Sequence, residues 1–458
     1  MPRRGCLRDS GTGPTPGLDR PNFVRTRSRR TLRQGTRIER VRTLYLAFAT
    51  ILAALVVAGC GSSGKGPVAL NWYVFPEPSG SFAAAAAACS KDSGGKYDIK
   101  TNFLSTSSDQ QRVSLVRRLA ANDPSIDILA MDVDWTAEFA TARWIRPVPS
   151  AFAQQIQSVD LPGPIKTATW QGRLWAVPIN SNTELLWYRK DLLADIHQPV
   201  PTTWTQMISD ARALAKLGKP HYIEEQGDQY EGLTVWFNSL VDSAGGGIIT
   251  GTNQVIVGPS TKIAASIMHE LATSPAADPS LNVTQEGQSD TQFDKGLAAF
   301  EINYPFVWAS AQSTGPSVWK EMGYAPFPEV IPGVRPHVSI GGYNLGVSSH
   351  SQHPQLAFDA VQCLTQENYE ITYAVKGGLA PVRGAVYTIP SFEKLYPFHA
   401  LIENQLKTYG IRPQTPVYAD VTLAIQKALS PTSSIDPNTV VSTLRGEIKD
   451  ALGSEALL

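Results

Sequence analysis

The stretch Gly172–Leu193, GRLWAVPINSNTELLWYRKDLL, constrains the fold of this chain more than any other. An apolar run, Leu174-Trp175-Ala176-Val177, meets Pro178. The polar residues Asn180-Ser181-Asn182-Thr183 follow, and then a second apolar run, Leu185-Leu186-Trp187-Tyr188, with no helix between the two. Proline lacks the amide that a central strand must donate, and four consecutive polar residues would be costly inside a core. The pattern fits two strands in different domains better than one continuous strand. The chain would cross between them near Ile179, leaving the polar residues at the crevice.

The rest of the chain is long enough for two domains, at 458 residues. Val68–Phe75 alternates like a strand, Phe82–Lys91 is an alanine-rich helix former, and Ile99–Leu104 is a second strand. Gln110–Ala121 puts Val113, Val116, Leu119 and Ala120 on one helical face. Asp127–Met131 is a buried strand that delivers Asp132 and Asp134, and a helix begins at Trp135. This alternation predicts a parallel α/β sheet, in which ligands gather outside the carboxyl ends of the strands. Asp132 occupies that place, and it can also cap the helix that follows.

Beyond the crossing, Pro201-Thr-Thr-Trp204 starts a helix with Thr203 as its cap. Tyr230–Ala244 is a helix ending at three glycines that no strand precedes and no Lys-Ser/Thr follows, so they are not a phosphate loop. Lys262–Thr273 is a further helix and Thr284–Gly287 a polar loop. The strand Ala298–Asn303 presents Tyr304-Pro305-Phe306, and Ser339–Val347 reads as a return strand. Helices over 357–364, 391–407, 417–429 and 437–452 complete the chain. His350 and His353 precede a helix with no third ligand near in sequence and read as loop residues, not a metal site.

The formal charge of zero conceals an asymmetry. Residues 1–59 contain 12 arginines and three acids, which leaves 28 basic against 37 acidic residues, or −9, for the remainder. An acidic body lacks the basic patch of a nucleic-acid binder. Arg37, Arg40 and Arg42 precede an apolar run from Leu44 to Val57 that ends in Ala58-Gly59-Cys60, the layout of a secretory signal peptide. The run is shorter than the ~20 residues of a comfortable membrane span. Residues 1–36 are long for such a signal, and a start assigned too far upstream would explain them. Gly61–Gly66 reads as a flexible tether. Cys89 and Cys363 remain as an even pair in an oxidising compartment, either bonded to each other or buried as free thiols.

The crossing stretch resembles the extracellular sugar-binding subunits of bacterial ABC importers, as do PTTW, FDKG at Phe293–Gly296, and GGLAPVR at Gly377–Arg383. LAMDVDWTAEFA, LPGPIKTATW, NTELLWYR, EGLTVWFNSL, EINYPFVWAS and RPQTPVY resemble, within that group, actinobacterial trehalose-binding lipoproteins. The resemblance implies an α/β, two-lobed periplasmic-binding-protein-like fold, each lobe a sheet flanked by helices, joined by a hinge of several crossings. Lobe 1 would hold residues 68–178 and 338–384, and lobe 2 residues 179–337 and 385–458. It further implies diacylation of Cys60, with residues 60–67 as the lipid-anchored tether, a Cys89–Cys363 disulfide, and placement on the outer face of the cytoplasmic membrane. The implied partners are a trehalose-like disaccharide and the permease subunits with their cytoplasmic ATPase; no cofactor is implied.

Carried over residue by residue, the implied ligand set is Asp132, Asn182, Glu286, Tyr304, Gly341, Gly342 and Arg383, with Gln111 on a partial match. The chemistry suits a polyol. Asp132 and Glu286 accept hydrogen bonds, Arg383 donates, Asn182 does both, and the glycines admit close backbone approach. Tyr304 or Trp236 could cover the C–H face of a pyranose. Two departures bear on which sugar fits: Tyr304 stands where those lipoproteins carry tryptophan, and the segment from Trp308 to Tyr324 is shorter than theirs. The competing reading makes Asp132 and Glu286 the carboxylate pair of a secreted glycosidase.

Overall fold

A computed structural model describes residues 66–77 and 79–453. The expected signal peptide, Cys60 and most of the tether lie outside those residues. Nine strands of three or more residues are described: β1 (Val68–Val74), β2 (Tyr97–Phe103), β3 (Ile128–Asp132), β4 (Val177–Asn182), β5 (Leu185–Arg189), β6 (Tyr222–Glu224), β7 (Ala298–Asn303), β8 (Met322–Ala325) and β9 (Gly341–Val347). They form two sheets with helices packed on them, in the orders β2-β1-β3-β9-β4 and β8-β5-β7-β6. The result is a two-lobed α/β fold.

The first sheet is mixed, not wholly parallel. β1 runs parallel to β2 and β3, whereas β9 is antiparallel to both β3 and β4. The reason is connectivity. A helical crossover within one sheet returns the chain in parallel, but β9 arrives from the other lobe and is free of that constraint.

The crossing differs in place from the sequence reading. β4 runs straight through Pro178 and pairs as far as Asn182 with Gly341–Leu345, its register shifting between Tyr343 and Asn344. β4 is an edge strand, and an edge or a bulge is where a strand tolerates proline. Ile179 is therefore core of the first lobe, and only Thr183-Glu184 separate the strands of the two sheets.

The first lobe packs Trp72, Phe82, Ile128, Val177 and Val347 against Phe358 and Tyr373. On the other face Leu115, Leu129, Met131, Trp135 and Phe139 form a second layer. Cys89 and Cys363 are disulfide-bonded and join the helices Ser81–Asp92 and Pro354–Leu364. The helix Ser108–Ala120 buries Gln111, Leu115 and Leu119, while Val113 is 40 % exposed. Its inward stripe follows four-residue spacing through a polar residue, which counting apolar positions alone overlooks.

The second lobe buries Trp204, Trp236, Phe237, Met268 and Phe300 together with Val421, Ile425 and Leu444 from the C-terminal helices. Each such side chain contributes about 1.5–3 kcal/mol on full burial. Trp236 lies inside this core, tilted beside Trp204, so it is not available to a sugar. Thr203 caps its helix as expected, its hydroxyl oxygen accepting from the Gln206 amide at 3.1 Å. Residues 284–287 are not all loop, because Glu286 opens the helix Glu286–Asp294. The expected helix over 391–407 is two, Pro390–Leu395 and His399–Lys407. Pro397 sits between them and cannot donate to the preceding turn.

Candidate functional site

A cavity of about 580 Å³ lies between walls supplied by both lobes. That is within the ~300–1,000 Å³ of small-molecule sites. Asp132, Asn182, Gln111, Glu286, Tyr304, Gly341 and Gly342 all line it, with Phe75, Glu77, Ser108, Gln226, Tyr230, Glu231, Phe306, Tyr343 and Arg412 among their neighbours.

The first-lobe wall is built from strand ends. β3 stops at Asp132, whose Oδ2 accepts the Ser108 hydroxyl at 3.2 Å. Gln111 donates its amide to the Ser105 carbonyl at 2.8 Å, and its Oε1 accepts the Tyr343 hydroxyl at 3.4 Å. The Tyr343 ring stacks on Phe75 with centroids 4.0 Å apart. At the floor, Gly342 has φ +109°, and a Cβ there would stand 2.5 Å from the Asn180 carbonyl oxygen. Only glycine fits that close backbone approach.

The second-lobe wall centres on Arg412, the one cationic side chain lining the cavity among the described residues. Its guanidinium reaches Asp132 at 2.9 Å, Glu231 at 2.6 Å and Asp134 at 3.7 Å. Glu231 also accepts the hydroxyls of Tyr418 at 2.5 Å and Thr422 at 2.7 Å. One guanidinium thus faces three carboxyls, and their ionisation divides accordingly. Burial opposes ionisation of Asp132, but Arg412 and the bonded Asp134 and Ser108 outweigh it and hold Asp132 below the ordinary range. Burial and then the neighbouring Asp132 push Asp134 well above its usual value.

Glu286 is differently placed. Its backbone amide donates to the Tyr230 hydroxyl at 2.9 Å, and its carbonyl accepts the Asn303 amide at 3.2 Å. Its carboxyl has no hydrogen-bond or ion-pair partner among the described residues. Burial, then Asp290 and Asp132, raise its pKa to about 7. Tyr304 is 7 % exposed, its amide held by the Asn303 side chain at 2.8 Å.

Arg383, expected in the cleft, does not line the cavity. Its Nε donates to Glu370 at 2.8 Å and its Nη2 to the Thr365 carbonyl at 2.8 Å, beside a separate pocket lined by Gln155 and Gln366. The cleft arginine is Arg412. It opens the RPQTPVY stretch that carries the family resemblance, so the signal was present and attached to the wrong arginine. Glu231 opens the EGLTVWFNSL stretch, which carries the resemblance as well, but nothing in that stretch marked it as a cleft residue. Phe75 and Tyr343 read in sequence as strand residues alone.

Residues 78–370 match the family profile of bacterial extracellular solute-binding proteins. A probable ABC transporter-binding protein of Deinococcus radiodurans is 24% identical over 362 residues, covering 76% of this chain and 86% of its own. Among solved structures, maltose-bound MalE3 of T. maritima superposes with a TM-score of 0.77 at 24% identity, covering 84% of this chain and 99% of that one. The GacH receptor of Streptomyces glaucescens gives a TM-score of 0.74 at 20% identity, covering 84% and 99%. Those structures share the two-lobed fold, and the profile spans most of the chain: it belongs to the family of bacterial extracellular solute-binding proteins.

Proposed function

We propose that this protein is the sugar-capturing subunit of an ABC importer, and that it holds a disaccharide, trehalose or a close analogue, between its lobes. The observation that carries the reading is the cavity whose opposite walls offer Asp132 and Gln111 on one side and Glu286, Tyr304 and Arg412 on the other. Neither lobe alone supplies the set. Charge-assisted hydrogen bonds of about 1.5–3 kcal/mol each would accumulate only on closure, when water is excluded and each bond strengthens. Asn182, Gly341 and Gly342 would line the floor, with Thr183-Glu184 and the return before β9 acting as hinge segments. The closed form is the shape a permease with its ATPase would accept. The sequence resemblance to trehalose-binding lipoproteins supports the choice of sugar, and the naming of the Deinococcus relative supports the transporter.

The anchor in this reading is a diacylated Cys60, which holds the protein to the outer face of the cytoplasmic membrane. Intact-mass measurement of native protein should show the lipid adduct there. A hydrolytic use of Asp132 with Glu286 is not favoured, because membership of a solute-binding family argues for capture over turnover.

Thermal-shift screening against a disaccharide panel tests the core of the proposal. A ligand that binds only the folded state stabilises it by about 2.7 kcal/mol at a hundredfold excess over Kd. Trehalose should raise the midpoint, and absence of stabilisation by any sugar would remove the reading.

A further inference from the structure

The acids on the cavity wall are not equally satisfied. Glu77 accepts from the Ser79 amide at 2.6 Å and from the Ser81 amide and hydroxyl at 3.0 and 2.9 Å. Asp132 and Glu231 share Arg412, and each accepts at least one hydroxyl. Glu286 alone among the four has a carboxyl with nothing bound to it within the described residues.

Among the described residues no cationic side chain is paired with it, and the N-terminus of its own helix offers only partial positive charge. Asp290 faces it from its own helix, Asp132 from the end of β3, and Glu184 from the hinge segment. The phenols of Tyr230, Tyr304 and Tyr343 complete the shell. Arg412, the only cation on the wall among the described residues, is engaged by Asp132 and Glu231. A sugar hydroxyl can donate to Glu286 but leaves its charge uncompensated in a half-buried position, where water screens it less than on an open surface. An ammonium supplies both the hydrogen bond and the missing charge.

Resting on the reading that the cleft holds a disaccharide, we propose that the ligand class includes amino disaccharides, whose ring ammonium sits against Glu286 and which bind more tightly than the neutral sugar of the same stereochemistry. The acid's raised pKa adds a signature. Seating an ammonium favours the ionised carboxylate, so the advantage of the amine over the neutral sugar should grow as pH rises toward about 7 and fall again where the ligand's own amine loses its proton.

Calorimetric titration of the mature chain with trehalose and with its 2-, 3-, 4- and 6-monoamino derivatives tests this. At least one derivative should bind about fivefold or more tightly than trehalose at low salt. That ratio should shrink at high salt and fall to about one in Glu286→Gln. Binding of trehalose with no derivative tighter would overturn the amine site and leave the sugar reading intact. A ratio unchanged in Glu286→Gln would also overturn it, since the ammonium would then sit elsewhere. Failure of every one of these sugars to bind would remove the amine site together with the trehalose assignment.

Discussion

Asp132 and Arg412 meet at 2.9 Å across the cleft, although 280 residues separate them in the chain. Asp132 is fixed by the last pairing of β3 with β9, opposite Tyr343. Arg412 is fixed by Glu231, which is itself held by Tyr418 and Thr422 of the helix Tyr418–Leu429. Each partner is thus also held by contacts within its own lobe. Their separation should therefore report lobe approach.

The two arginines should separate by affinity, although both substitutions cost stability, since Arg412→Ala also strips the buried Asp132 and Glu231 of their partner. Arg412→Ala should weaken sugar binding at least tenfold, or about 1.4 kcal/mol. Arg383→Ala should leave affinity nearly unchanged but cost about 1–3 kcal/mol of stability, because it strips the buried Glu370 of its partner. Calorimetric titration paired with denaturant melts of both variants checks the division. Loss of binding in Arg383→Ala with normal stability would restore the sequence-based assignment.

Glu184 should make the protein less stable in alkali. Burial raises its pKa to about 8, only partly offset by its hydrogen bond from Ser239 at 3.1 Å. The folded-state value lies above the unfolded one, so the stabilising contribution is complete below the ordinary carboxylate range and is lost as pH rises toward about 8. Glu224, raised by burial and then by Asp278 to about 9, extends the same trend. Melting temperature should fall from mildly acidic to alkaline pH, and Glu184→Gln should flatten the slope. A melting temperature that climbs across this range would contradict the assignment.

Reduction of Cys89–Cys363 should lower stability by about 2–5 kcal/mol. The bond closes a loop of 274 residues that includes all of the second sheet. Neither thiol should react with an alkylating agent before reduction, and rapid labelling of both in untreated protein would count against the bond.

Gly342→Ala should be costlier than most glycine substitutions. At φ +109° an added methyl meets the Asn180 carbonyl at 2.5 Å and the Ser181 Cα at 2.7 Å, both rigid backbone. About 1–3 kcal/mol of destabilisation is expected from the backbone strain, with weakened binding because the displaced strand carries Asn182. Gly287→Ala, where nothing lies within 4 Å of the added carbon, is the control. Equal melting temperatures for the two variants would refute the strain argument.

The legibility of this chain in its sequence follows the reach of the forces involved. Strands β1, β3 and β7 announced themselves through local apolar pattern, and Thr203 through the chemistry of its cap. The two-sheet division was readable from the interruption between Leu174 and Tyr188, but its position was not. Whether Pro178 ends a strand depends on which side of β4 is paired, a fact settled by β9 more than 150 residues later. The cleft was partly legible because Asp132 ends a strand and Tyr304 follows one. Arg412 and Glu231 open RPQTPVY and EGLTVWFNSL, stretches that carried the resemblance, but their roles were not legible, since an arginine in a loop acquires meaning only from the carboxyls folded against it. Trp236 failed for the opposite reason. Aromatic chemistry suits a sugar or a core equally well, and neighbouring Trp204 and Phe327 decided for the core.

The segments that join the two sheets have a consequence for how this molecule can be taken apart or rewired. Ser239 of the helix Glu231–Ser243 donates its hydroxyl to Glu184 at 3.1 Å and accepts the Ser339 amide at 3.1 Å, while Gly410 pairs with Ser339 alongside. The outgoing and returning chains are thus pinned to one rigid rod, with a third segment laid beside them. Parallel straps anchored on one spindle permit swinging and resist sliding or twisting. A fluorophore placed on each lobe should therefore report sugar occupancy as a nearly one-dimensional change in separation. By the same logic no single backbone cut can release either half, and the protein should survive being circularly reopened at an outer loop far better than at Thr183-Glu184.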